Sequence, residues 1–152
     1  MDALIRRGLT CVTVVDISPA ALERARRRLG DAARLVRWVR ADVTSSCDVG
    51  QVDIWHDRAV FHFLNDAGAR QAYIELLYRT MKPSAAAIIA TFATDGPVTC
   101  SGLPVCRYSA STLSREIGSG FVLEHVEREE HHTPRGAIQP FQWTLFRRAG
   151  VA

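Results

Sequence analysis

Three acids stand where a sequence can do chemistry. Asp16 ends the β-branched stretch Leu9 to Asp16 (LTCVTVVD), Asp42 follows Leu35-Val36-Arg37-Trp38-Val39, and Asp57 follows the short apolar run Val52 to Trp55. An acid after the second strand of a nucleotide-binding unit accepts hydrogen bonds from ribose hydroxyls. Asp42-Val43 presents a carboxylate suited to an exocyclic amine and an apolar wall suited to a purine. The competing reading is that each acid caps the helix after its strand. Three acids in this order favour the nucleotide.

Five histidines, at positions 56, 62, 125, 131 and 132, are the side chains best matched to proton transfer near neutral pH. His62, His131 or His132 with Tyr108 can form a cluster that deprotonates a substrate. Against this, His125 alternates outward on a strand and His131-His132 belong to an exposed loop. Asp57-Arg58 reads equally as a structural ion pair and as a substrate clamp. The cysteines, at 11, 47, 100 and 106, have no C-x-x-C spacing, so reduced thiols are expected and no metal site.

The elements that position these residues follow from pattern. LTCVTVVD is nearly continuous in apolar character, as a strand buried on both faces requires. Ser18-Pro19 opens a helix with Ser as N-cap, Ala21, Leu22, Ala25 and Leu29 make its apolar stripe, and Gly30 closes it. Further strands are expected within Ala33 to Asp42, at Val52 to Trp55 and at Ala85 to Ala93, with a helix over Ala67 to Met81. A last helix, Ser109 to Ile117, precedes two strands, Phe121 to Arg128 and Gln142 to Arg147, joined around Thr133-Pro134-Arg135-Gly136. Alternating strands and helices define an α/β fold with a Rossmann-like, mostly parallel sheet and an antiparallel C-terminal hairpin. The 152 residues are expected to form one domain.

The net charge is +3, and Lys82 is the single lysine. Residues 1 to 40 hold nine arginines against four acids, which reads as a solvated face; nucleic acid is the disfavoured partner. The longest apolar run, Ala85 to Ala90, is far short of the roughly 20 residues of a membrane span, and no secretory pattern opens the chain. A cytoplasmic protein with no membrane partner is expected.

The ordered set of segments resembles the class I S-adenosylmethionine-dependent methyltransferases. VTVVDISPAALERARRRLG is similar to their second strand and following helix, VRWVRADVT to their third strand, and VDIWHDRAVFHFL to their fourth strand and active-site loop. YIELLYRTMKPSAAAIIATFA resembles the helix and fifth strand, with Met81-Lys82-Pro83-Ser84-Ala85 where L-x-P-G-G is usual. EHHTPRGAIQPFQWTLFRR resembles the closing hairpin of small bacterial members. The resemblance implies S-adenosylmethionine as cofactor, held by Asp16, Ile17, Asp42, Val43 and Asp57. It also implies transfer to a small-molecule acceptor, for which His62, Tyr108 and His132 are the candidate catalytic residues by side-chain type.

The family's first strand and its G-x-G-x-G loop have no counterpart in these residues, and Met1 to Gly8 resembles only the end of the helix after that loop. Loss of the loop's backbone donors, each worth ~1 kcal/mol net, is expected to weaken cofactor binding. Apolar edges on the second and fourth strands would recruit further strands, so a homodimer is expected. The alternatives are a compact monomer with those strands paired directly, a cofactor-independent hydrolase on the same fold, and a non-enzymatic remnant that binds a partner. No G-x-S-x-G nucleophile elbow supports the hydrolase.

Overall fold

The computed structural model describes residues 1–45, 47–134 and 136–150. Arg135, in the loop expected between the last two strands, lies outside the described residues. The chain divides into two compact units, Met1–Val49 and Gly50–Ala152.

The first unit begins with a short helix α1 (Asp2–Arg6), followed by strand β1 (Val12–Asp16), helix α2 (Pro19–Leu29), a 3-10 segment (Gly30–Leu35) and strand β2 (Val36–Arg40). β1 and β2 form a two-stranded parallel ladder that sets Val12 beside Val36 and Asp16 beside Arg40. α2 starts where the sequence signals it: the Ser18 hydroxyl accepts from the Ala21 amide at 3.2 Å, and Pro19 occupies the first turn. Leu22 and Val36 are buried. Asp2 binds the Arg28 guanidinium in a fork at 2.8 and 3.1 Å, and Arg26 lies over the Trp38 ring. The arginine-rich face is therefore partly spent on intramolecular contacts.

The second unit is built on a four-stranded sheet. Its members are β3 (Val52–Arg58), β4 (Met81–Phe92), β7 (Phe121–His132) and β8 (Ile138–Arg148), in the order β3-β4-β8-β7. β3 and β4 run parallel, whereas β8 is antiparallel to both β4 and β7. The α/β fold with an antiparallel closing hairpin at one edge is thus present as expected, but this sheet is mixed rather than mostly parallel, with one parallel pairing and two antiparallel ones. Helix α3 (Ala67–Thr80) joins β3 to β4, and a minimal hairpin, β5 (Thr99–Cys100) with β6 (Leu103–Pro104), leads to α4 (Ala110–Ile117). α4 carries a reciprocal capping box between Ser109 and Thr112.

Alternation along β4 sorts the core. Ala85, Ala87 and Ile89 are buried along one face, and Ala90 and Phe92 on the other face meet Phe141 of β8. The edge strand β7 carries charged residues over most of its length and a register shift between Leu123 and His125, two devices that discourage edge pairing. No helix among the described residues is long and apolar enough to cross a membrane.

Several boundaries differ from the sequence reading. β3 continues through Arg58 rather than stopping at Trp55, and β4 starts at Met81, directly after α3. Pro83 and Ser84 lie inside β4 where its pairing with β3 is irregular, and Ser84 adopts φ 64°. That bend accommodates a proline, which cannot donate to a regular ladder.

Candidate functional site

In the first unit, the two strands end side by side and deliver their acids to the same end of the ladder. Asp16 Oδ1 accepts from the Ser18 amide at 2.8 Å, which fixes the carboxylate across the turn into α2. Its Oδ2 makes no hydrogen bond among the described residues. Ile17, in the same turn, is 63% exposed, a large apolar side chain left open beside a carboxylate. Asp42 Oδ1 accepts from both the amide (2.8 Å) and the hydroxyl (2.7 Å) of Thr44, and these donors hold its carboxyl below the ordinary range. Val43 is half-buried next to it. Each acid caps its own turn through one oxygen and keeps the other open. The capping and ligand readings of the sequence are therefore compatible at these two positions.

Asp57 requires a correction. It is buried, with 4% exposure. Oδ1 accepts from the Val60 amide at 2.9 Å, and Oδ2 accepts from the Phe61 amide at 3.0 Å and the Tyr73 hydroxyl at 2.7 Å. The Tyr73 hydroxyl in turn accepts from Trp55 Nε1 at 2.8 Å. Burial raises the Asp57 carboxyl above its usual range, and the Tyr73 and backbone donors offset this in part. The carboxylate is consumed in folding the loop after β3 and is not available to a cofactor. Nor does it pair with Arg58, which meets Glu129 instead. Ala59, next in that loop, is held at φ 66°, a left-handed conformation that costs an alanine roughly 1 kcal/mol.

Of the three residues expected to be catalytic, His62 and Tyr108 both lie in the core at Phe92, whose amide donates to His62 Nδ1 and whose carbonyl accepts from the Tyr108 amide, whereas His132 lies apart from them on β7. His62 is fully buried, its ring 4.6 Å from Phe63 and 4.7 Å from Phe92 between centroids. Nδ1 accepts from the Phe92 amide at 3.4 Å, while Nε2 is buried with no partner among the described residues. Burial pushes its pKa down to about 4, so it is a neutral core imidazole near pH 7. Tyr108 is also buried, its ring packed on Phe61. Burial and the neighbouring Cys106 raise its pKa, so the phenol stays protonated. His132 pairs with Ile138 at the loop end of the closing hairpin and is exposed. Alternation puts His131, not His132, on the sheet face that carries Phe141.

That face holds the constellation that the sequence reading missed. Arg58, the last residue of β3, lies over the Phe141 ring (4.9 Å to the centroid) and the Trp143 ring (5.9 Å). Glu129 of β7 accepts from Trp143 Nε1 through Oε2 at 2.6 Å, and its Oε1 faces Arg58 Nη2 at 3.4 Å. His131 Nδ1 is 3.8 Å from the same Oε1, and the His56 ring is 5.8 Å from that of Trp143. Only register could have revealed this group, because Glu129 sits opposite Phe141 and Glu127 opposite Trp143.

A family model described as a methyltransferase domain matches residues 1–84, more than half of the chain. The chain belongs to that methyltransferase domain family. Solved structures share its fold. One, from the conversion of a disulfide bond into a thioacetal group during echinomycin biosynthesis, is 21% identical with a TM-score of 0.75, over 97% of this chain and 69% of its own. The Burkholderia thailandensis 1,6-didemethyltoxoflavin-N1-methyltransferase, with 1,6-didemethyltoxoflavin and S-adenosylhomocysteine bound, is 18% identical with a TM-score of 0.73, over 97% of this chain and 64% of its own. The N-methyltransferase NodS of Bradyrhizobium japonicum WM9, with S-adenosylhomocysteine, is 18% identical with a TM-score of 0.66, over 90% of this chain and 65% of its own. The chain thus spans about two thirds of the length of these proteins. No curated protein sequence matches it.

Proposed function

We propose that the chain is an S-adenosylmethionine-dependent methyltransferase acting on a small molecule, with the adenosine part of the cofactor held by the first unit. The observation that carries this reading is the pair Asp16 and Asp42 at the carboxyl ends of adjacent parallel strands, each fixed through one oxygen and open at the other. Ligands of open α/β sheets bind at such strand ends. Asp16 Oδ2 is suited to accept from ribose hydroxyls, with Ile17 as an apolar surface. Asp42 Oδ2 is suited to accept from the adenine amine, with Val43 against the ring. The residues present therefore fit the adenosine part of the cofactor.

When bound, S-adenosylmethionine supplies an electrophilic methyl group. The chain's own part is to bind, to orient and to receive a proton. The buried Asp57, Tyr73 and Trp55 network fixes the loop after β3, and with it the strand end that carries Arg58. In the second unit, Glu129 and His131 of β7 are partly exposed groups of the residue types that can take a proton. A homodimer is the assembly that this reading expects.

The test is a product screen by mass spectrometry over small hydroxylated and amino compounds, with esters and phosphoesters as controls. Products heavier by one methylene, formed only with S-adenosylmethionine added, are expected. Turnover of an ester without it, abolished by one Ser, Cys or His substitution, would replace this reading with the hydrolase.

A further inference from the structure

Glu129 is pinned on one side and open on the other. The 2.6 Å bond from the Trp143 indole fixes Oε2, whereas Oε1 faces donors at 3.4 and 3.8 Å, beyond the length of a good N–H···O bond. Arg58 is held by its rings rather than by its fork, since only Nη2 is engaged among the described residues. The side chains of Arg58, Glu129 and His131 are each about one third exposed, at 38%, 37% and 33%. A cationic group and an under-satisfied carboxylate oxygen thus stand side by side, at the carboxyl end of β3 and within reach of solvent.

Three ligand chemistries can be compared. A carboxylate would suit Arg58 but would meet Glu129, which the Trp143 indole prevents from moving aside. A cation would suit Glu129 but would meet Arg58. An atom that both donates and accepts satisfies the two together, and a hydroxyl is such an atom. The flat guanidinium, stacked on Phe141 and Trp143, favours a planar ring as the carrier of that hydroxyl. We infer that Arg58 and Glu129 form a subsite for the ring hydroxyl of a planar aromatic compound: the hydroxyl donates to Glu129 Oε1, and its oxygen accepts from Arg58. The identification of that hydroxyl with the methyl acceptor rests on the proposed methyltransferase function; the binding itself does not.

The experiment uses the full chain labelled with 15N, titrated with phenol, anisole and benzoate. The indole N–H resonance of Trp143 is followed, because that hydrogen is the one held by Glu129. Phenol is expected to shift it saturably. Anisole, which keeps the ring and loses the O–H, and benzoate should bind at least tenfold more weakly. Glu129→Gln should weaken phenol at least tenfold and leave anisole unchanged, and Arg58→Lys should reduce the same preference. Equal affinity for phenol and anisole, tighter benzoate, or phenol binding unaffected by Glu129→Gln would overturn the assignment. A parallel titration with S-adenosylhomocysteine separates the two readings. Phenol binding without a cofactor response removes the methyltransferase role and leaves the subsite, and a cofactor response without phenol binding does the reverse.

Discussion

Asp57→Ala is expected to destabilise the second unit by about 3 kcal/mol or more. The substitution leaves two buried donors, the Phe61 amide and the Tyr73 hydroxyl, and the part-buried Val60 amide without their acceptor. Unpaired buried groups cost about 1–3 kcal/mol each, with some relief where water enters. Asp57→Asn should cost less, because its oxygen can keep one amide while its NH2 faces another donor. Denaturant unfolding followed by tryptophan fluorescence reads both values, and Trp55, bonded to Tyr73, reports from within the network. A loss below about 1 kcal/mol for the alanine variant would show that the network does not hold the loop.

The second large effect is an acid-dependent loss of stability through His62. Its pKa in the folded chain is about 4, against 6.5 for an ordinary histidine. Between these values the unfolded chain binds a proton that the folded chain excludes, so stability rises with pH through this window and is lost as pH falls. At about 1.4 kcal/mol per pKa unit, the loss reaches about 3 kcal/mol near pH 4. His62→Leu keeps an apolar ring-sized group between Phe63 and Phe92 and removes the proton site. Unfolding free energies measured from pH 7 to pH 4 should fall more steeply for the wild type than for this variant. Parallel profiles would mean that the imidazole is not excluded from protonation.

Much of the architecture was legible in the sequence because β-branched and apolar runs mark strands there, although β1, expected to be buried on both faces, is only half-buried along its whole length. LTCVTVVD, the Ser18-Pro19 start and the run from Ala85 all became elements near their expected places. The pattern failed where polar residues occupy strands. β3 was cut at Trp55 because His56, Asp57 and Arg58 look like a loop, yet Asp57 is buried while His56 and Arg58 lie on the other face. β7 was cut at Arg128 for the same reason, since an edge strand can carry charge along most of its length.

For the site, the residues close in sequence were legible and the distant ones were not. Asp16-Ile17 and Asp42-Val43 follow directly from where two strands end. Arg58 and Glu129 are 71 residues apart, and only the strand order β3-β4-β8-β7 brings them together. Register also decides between adjacent histidines. Strand side chains alternate, so a shift of one residue exchanges His131 for His132 on the face with Phe141 and Trp143. His62 looked suited to catalysis by residue type, but no local signal distinguishes a core imidazole from an exposed one.

The central claim is that Asp16 and its neighbours bind the adenosine part of S-adenosylmethionine. Calorimetric titration with S-adenosylhomocysteine, on the wild type and on Asp16→Asn, tests it most directly. Asparagine can still accept from the Ser18 amide through its oxygen, so the turn is kept while the open carboxylate oxygen becomes a donor. Two charge-assisted hydrogen bonds to ribose are worth about 1.5–3 kcal/mol each, so affinity should fall at least tenfold in the variant. Saturable binding by the wild type with that loss is the result predicted. No binding by the wild type, or the same affinity in Asp16→Asn, would contradict the account.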